Sequence, residues 1–245
     1  MKAIEPFLIA LQFLTRLPVR LPGTPDERTI GNSLLYYPLV GVVIGVLLVA
    51  LFLALADAPA GLRAALVLAA WVIVTGALHL DGLADSADAW AGGLGDREKT
   101  LAIMKDPYCG PAAVVTLVVV LLLKFAALHS LDADDWIALM LIPMVARAAV
   151  PLLFLTTPYV RANGLGSALA AHLPRNASIV VIAATGIVVL LVTGTRGLWL
   201  LAGAIGTFLL LRALMIRRLG GTTGDTAGAL VELTEMVALL AVTLG

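Results

Sequence analysis

Residues 60–88 read AGLRAALVLAAWVIVTGALHLDGLADSAD. The apolar run Ala60–Leu80 passes without interruption into three aspartates, Asp81, Asp85 and Asp88. A spanning helix needs about 17–25 apolar residues, so the run predicts a transmembrane helix with carboxylates at its mouth. At about 100° per residue, offsets of four and seven put the three carboxylates within about 60° of one face. Like charges at that spacing repel. A divalent cation held by carboxylate oxygens is the usual reason to keep them together. The competing reading is an acidic, solvated helix start, with Asp81 as N-cap and the others favoured by the macrodipole. Capping alone needs fewer carboxylates than are present.

Composition extends the membrane reading to the whole chain. Of 245 residues, 61% are hydrophobic and only 13% charged, and the mean hydropathy is +1.04. A soluble domain carries about 25% charged residues. The zero formal net charge offers no nucleic-acid footprint, and the one cysteine, Cys109, excludes an intrachain disulfide or a Cys-rich metal cluster. Ala3–Leu14 is interrupted by Glu5, Pro6 and Gln12 and lacks a small-x-small cleavage pattern. It reads as an interfacial or half-inserted helix.

Seven spans are expected, near Tyr36–Ala56, Ala60–Leu80, Ala112–His129, Trp136–Leu155, Ser178–Thr193, Leu198–Leu214 and Ala227–Leu244. The expected fold is an all-α polytopic membrane helix bundle, a single domain over residues 1–245. Lys2, Arg16, Arg20 and Arg28 precede the first span. Arg97, Lys99 and Lys105 follow the second, Arg161 and Arg175 the fourth, and Arg212, Arg217 and Arg218 close the sixth. The other side holds only Arg63 and Arg196, with the acidic Asp132–Asp135 connection between them. By the positive-inside rule the N-terminus is cytoplasmic and the C-terminus outside a bacterial-type cell membrane.

The motifs then share the cytoplasmic side. Beyond the aspartates, Arg97, Lys105 and Asp106 flank a helix end at Pro107, where cations could clamp phosphate and Asp106 could join a metal shell. Gly220-Gly221-Thr222-Thr223-Gly224-Asp225-Thr226 opens the last span, with amides and hydroxyls, Thr223 and Gly224 among them, suited to an anion. It is not a Walker loop, because no Lys-Ser or Lys-Thr follows the glycines. Asp225 shares a face with Glu232, and both could complete the carboxylate set. Glu235 follows three residues later. Arg147, inside the fourth span, must face the bundle interior, as a structural ion pair or a substrate contact. His79 points away from the aspartates and Lys124 has the length to snorkel. Tyr159, Arg161 and Gly164-Leu165-Gly166 form a polar connection that includes Asn163; Arg161 is a further phosphate candidate. Oxygen ligands favour magnesium, or manganese, over zinc.

His79-Leu80-Asp81-Gly82-Leu83-Ala84-Asp85 with Asp88, Met104-Lys105-Asp106, and Gly221, Thr223-Gly224-Asp225-Thr226 with Glu232 together resemble the cobalamin synthase family, the adenosylcobinamide-GDP ribazoletransferases. Phe13-Leu14-Thr15-Arg16-Leu17-Pro18, Tyr37-Pro38-Leu39-Val40-Gly41 with Gly45, and Gly164-Leu165-Gly166 also fit, so the likeness runs from about residue 7 to 240. Where that family has a Ser-Arg-x-Gly-Thr-x-Gly type segment, this chain has Pro107-Tyr108-Cys109-Gly110-Pro111-Ala112-Ala113 and clearly matches only at Gly110. The resemblance implies joining of adenosylcobinamide-GDP to α-ribazole or its 5′-phosphate, with release of GMP. Asp81, Asp85, Asp88 and Asp225 would form the catalytic metal set, joined by Asp106 and Glu232, with Asp88 the candidate general base. Arg97, Lys105, Arg147, Arg161, Thr223 and Gly224 would contact phosphate or substrate. The partners would be these small molecules and the bilayer, with a homo-oligomer left open. A CDP-alcohol phosphotransferase fits less well, since Ala84 is followed by Asp85 and the later aspartate pair is missing. A cation-coupled transporter would use Arg147, Glu232 and Glu235 as its path, and inverted repeats, its usual companion, are absent.

Overall fold

The computed structural model describes residues 4–21, 23–132, 135–161 and 165–244; Lys2, Ala3, Asp134, Asn163 and Gly164, named above, lie outside them. Among the described residues the regular structure is helical, apart from one isolated bridge between Tyr159 and Thr222. Helix α1 spans Glu5–Leu14 and α2 Glu27–Ser33. Asp26 caps α2 by accepting from the Thr29 amide at 2.8 Å, a bond that lowers its pKa. A 3-10 turn at Leu34–Tyr36 leads into α3, Tyr37–Ala54. There follow α4 (Ala60–Thr75), α5 (Leu78–Gly92), α6 (Arg97–Ile103), α7 (Pro111–His129) and α8 (Trp136–Thr156). The chain ends with α9 (Leu165–Ala171), α10 (Arg175–Thr193), α11 (Thr195–Leu219) and α12 (Gly224–Leu244).

Among the described residues six stretches are long and apolar enough to cross a membrane: Glu27–Ala54, α7, α8, α10, α11 and α12. The expected second span differs. Instead of running through Ala60–Leu80, the helix stops at Thr75 and the chain bends by 88° between α4 and α5. Gly76 and Ala77 both adopt left-handed conformations, with φ of 62° and 57°. Glycine takes that conformation freely, whereas at Ala77 it costs about 1–2 kcal/mol. The Arg16 side chain fills the space a Cβ on Gly76 would need, and its amide donates to Val74 O at 2.7 Å. A hydropathy run cannot register such a bend, because both arms are apolar. Counted as one bent span, the pair raises the total to seven. Helix α11 also outruns its expected limits, so Arg217 and Arg218 sit on its last turn rather than beyond it.

Helix α8 is the core of the bundle, packed by α3, α10 and α12. Gly41 and Gly45 let α3 approach its backbone: a Cβ at either would lie 2.4 Å from Pro143 O or 2.1 Å from Met140 O. Small residues four apart are how membrane helices come close without a hydrophobic driving force. Helices α10 and α11 turn Ile179, Val180, Leu191, Trp199, Leu209 and Leu210 outward, as a lipid-facing surface requires.

Candidate active site

Helix α5 carries all three aspartates on one continuous helix. Asp81 lies in its first turn; the N-cap position is Ala77, so the capping reading of Asp81 does not hold. Helix α12 crosses against α5 at Gly82, where a Cβ would meet Asp225 O at 2.7 Å. This close approach brings Asp225 to the aspartate face. Its carboxylate pairs with Arg161 at 2.7 Å. Arg161 is placed by an extended segment: Val160 N donates to Thr222 O and Thr222 N to Pro158 O, at 2.9 and 2.8 Å.

The cluster carries surplus negative charge. Among the described residues, Asp81, Asp85, Asp88 and Asp225 are opposed by the guanidinium of Arg161. Helix α5 is not among the six long apolar stretches, and on it Asp85 feels the imbalance: burial, then Asp225 and Asp81, push its carboxyl up to about 6. Among the described residues no group of three or more His, Cys, Asp or Glu side chains is arranged to hold a metal ion as it stands. The donor set is nonetheless all carboxylate oxygen and carries surplus negative charge, the chemistry that magnesium or manganese takes.

Two spaces meet at Asp81. One is a cleft lined by Asp81, Asp85 and Asp88 together with Pro107, Tyr108 and Cys109. The other is a cavity of about 230 Å³ bounded by Asp81, Asp225, His79, Gly224 and apolar and aromatic side chains. As expected, His79 is packed rather than exposed.

Other expected site residues are placed differently. Asp88 accepts from the amides of Gly110 (2.5 Å) and Ala113 (2.9 Å), satisfying the orphan donors that open α7. It is therefore already engaged and poorly suited to be a base. Asp106 is exposed, accepts from Tyr108 N at 3.1 Å and shares an outer cleft with Asp88. Arg97 donates to Leu219 O at 2.7 Å, closing the end of α11 rather than facing the aspartates. Lys105 is exposed beyond α6. Thr223 is fully buried, and its hydroxyl accepts from Thr226 N while its amide donates to Thr226 Oγ1. The threonines of the Gly/Thr turn thus satisfy one another, and Gly224 is exposed beside the Tyr159 hydroxyl.

Arg147 and Glu232 leave the site altogether. Arg147 is fully buried and pairs with Glu235, and Lys124 bridges Glu232 at 2.9 Å and Glu235 at 2.6 Å. Lys124 does not snorkel; its ammonium lies 4.3 Å from the Trp71 ring centroid. Two cations and two carboxylates close on one another between α7, α8 and α12. The groups a transport path would need are consumed by this structural network. Of the two roles the sequence left open for Arg147, the structural ion pair is the one the structure shows, whereas the part played by Lys124, read as a snorkelling side chain, was missed. Also missed, with no signal in the sequence, was Arg218, which donates to Trp90 O at 2.8 Å and to Thr100 Oγ1 at 3.0 Å.

The family model described as cobalamin-5-phosphate synthase matches residues 6–243. The chain belongs to this family. It is 60% identical over 240 residues to a Pseudomonas fluorescens (strain Pf0-1) protein, covering 98% of this chain and 99% of that one. A Pseudomonas savastanoi pv. phaseolicola relative is 59% identical with the same coverage, and one from Pseudomonas entomophila is 58% identical over 98% of each chain. All three relatives bear the name adenosylcobinamide-GDP ribazoletransferase. No solved structure matches. As a cobalamin-5-phosphate synthase family member, the chain is a membrane transferase of cobalamin biosynthesis, acting in assembly of the nucleotide loop. The segment Pro107–Ala113 supplies the two amides that hold Asp88.

Proposed function

We propose that this enzyme joins adenosylcobinamide-GDP to α-ribazole or its 5′-phosphate, giving adenosylcobalamin or its 5′-phosphate and GMP. The carrying observation is four aspartates opposed by one arginine at the meeting of a cleft and an apolar cavity. A ribose hydroxyl oxygen forms the new bond to the phosphorus beside the cobinamide side chain. The bond from that phosphorus to the GMP oxygen breaks, and GMP carries the electron pair away.

Asp81, Asp85 and Asp225 would hold a divalent ion, with Asp88 and Asp106 at the edge of the set. Bound magnesium or manganese supplies neutralisation of the pyrophosphate and of the departing oxygen's charge. Arg161, partly exposed beside Asp225, binds a phosphate oxygen. Asp81 lines both spaces and takes the proton of the attacking hydroxyl, a role that suits it better than the amide-bound Asp88. The charge bias of the connections supports a cytoplasmic N-terminus and an active site opening to the cytoplasm. Incubation of the purified protein in detergent with magnesium and both substrates tests the reading: GMP should appear with wild type and be lost with Asp85→Asn. Near-normal turnover by Asp85→Asn would remove the metal assignment.

A further inference from the structure

We propose that Arg218, on the last turn of α11, is a positioning residue: by tying α5 to α6 it fixes where Arg161 stands against the aspartates. This rests on the transfer reaction above and adds what holds its phosphate-binding cation in place.

Arg161 is anchored at both ends. The backbone before it is pinned to Thr222 through the Val160 amide. At its far end, the nitrogen that pairs with Asp225, Nη2, also donates to the Met104 carbonyl at 3.3 Å. Met104 is the C-cap of α6, where closing carbonyls have no partner within the helix. Such an end carries partial negative charge, which favours a guanidinium. The aim of Arg161 therefore depends on where α6 lies.

Helix α6 stands apart from the main core. Met104 packs in a small separate cluster with Ala89 of α5 and Leu219 of α11, flanked by Trp90, Leu101, Ile103 and Val160. A helix of 7 residues is marginal without outside support. Arg97 gives some of it by closing α11 at Leu219 O. Arg218 gives more, because it reaches two elements at once. Its Nε donates to Thr100 Oγ1 on α6 at 3.0 Å and its Nη2 to Trp90 O on α5 at 2.8 Å. The guanidinium also lies 5.9 Å from the Trp90 ring centroid. Thr100 is fully buried, and a Cβ on Gly93, the C-cap of α5, would collide with its hydroxyl. The aspartate helix and α6 close on one another at Thr100, and the planar fork of Arg218 clamps that contact. Arg218 lines neither of the two spaces at Asp81, so its influence on substrate runs through Arg161.

The test is binding of adenosylcobinamide-GDP without acceptor, using full-length protein in detergent with magnesium and equilibrium dialysis read on corrin absorbance. Arg161→Met and Arg218→Met should each raise Kd about tenfold, the worth of one charge-assisted contact. The double variant should bind no more weakly than Arg161→Met alone. Arg218→Lys should recover part of the loss, and Thr100→Val should show a smaller loss with the same non-additivity. In turnover, Arg218→Met should lower kcat/KM for adenosylcobinamide-GDP while KM for free α-ribazole, which has no phosphate, stays unchanged. An unchanged Kd in Arg218→Met, losses that add in the double variant, or a KM rise shared by α-ribazole would overturn the proposal. Where Arg218→Met does not fold, Thr100→Val carries the same cycle. A wild type that binds adenosylcobinamide-GDP but releases no GMP would instead fail the transfer reading, and the binding cycle would still judge Arg218.

Discussion

Two charged clusters in this molecule share residue types and differ in balance. Between α7, α8 and α12, Lys124 and Arg147 meet Glu232 and Glu235, all buried, two charges against two. Where α5 meets the start of α12, four aspartates meet Arg161 as their one paired cation among the described residues, and three of them open to a cleft. The first is closed: an ion added there would find no vacant charge, and removing any member leaves a buried charge unpaired. The second is incomplete, and half-exposure is what makes its incompleteness tolerable. A pattern of acidic residues in a membrane chain therefore says little until its counter-charges are counted. Glu232 and Asp225 share a helix face, yet they belong to opposite kinds of site.

The largest expected contrast is in turnover. Asp85→Asn or Asp225→Asn should lower GMP release by roughly a thousandfold or more, because a bound ion supplies several kcal/mol of transition-state charge stabilisation. Size-exclusion profiles should stay close to wild type. Glu235→Gln should do the reverse, destabilising the bundle by about 3–5 kcal/mol by stranding Arg147 and half of Lys124's charge. Pairing Arg147→Met with Glu235→Leu should recover much of that loss in detergent unfolding, and failure to recover would mean the network does more than balance charge.

Smaller effects sharpen the same contrast. Asp88→Ala removes acceptors from the start of α7, so unfolding should cost about 0.5–2 kcal/mol less, with a milder loss of transfer than Asp85→Asn. The folded pKa of Asp85 lies near 6, above its ordinary value of 3.8, so the folded state binds that proton more tightly. In a chelator, stability should thus be greatest below about pH 4 from this group and decline as pH rises through 6. Asp85→Asn should flatten that slope, and magnesium should counter it by favouring the ionised form. An unchanged slope in the variant would place the titration elsewhere.

Much of this was legible from residue order. The helical spacing of Asp81, Asp85 and Asp88 and the apolar lengths of α7, α8 and α12 follow from periodicity and hydropathy alone. The bend at Gly76 and Ala77 was not legible, since two left-handed residues leave no trace in an apolar run. Nor was the fate of Asp88 or Thr223: both carry side chains suited to ligands, and only backbone geometry shows that nearby amides occupy them. Arg147 illustrates the same limit from the other direction. Burial was predictable, but its partner had to be chosen among several carboxylates, and helix packing makes that choice.

The most direct measurement is manganese binding to the purified protein in detergent, read as loss of the free-ion electron paramagnetic resonance signal. Saturable binding by wild type and by the Arg147→Met, Glu235→Leu pair, with clear weakening in Asp85→Asn and Asp225→Asn, is the expected result. Equal binding by all four proteins, or none by wild type, would contradict a carboxylate cluster built to receive a cation.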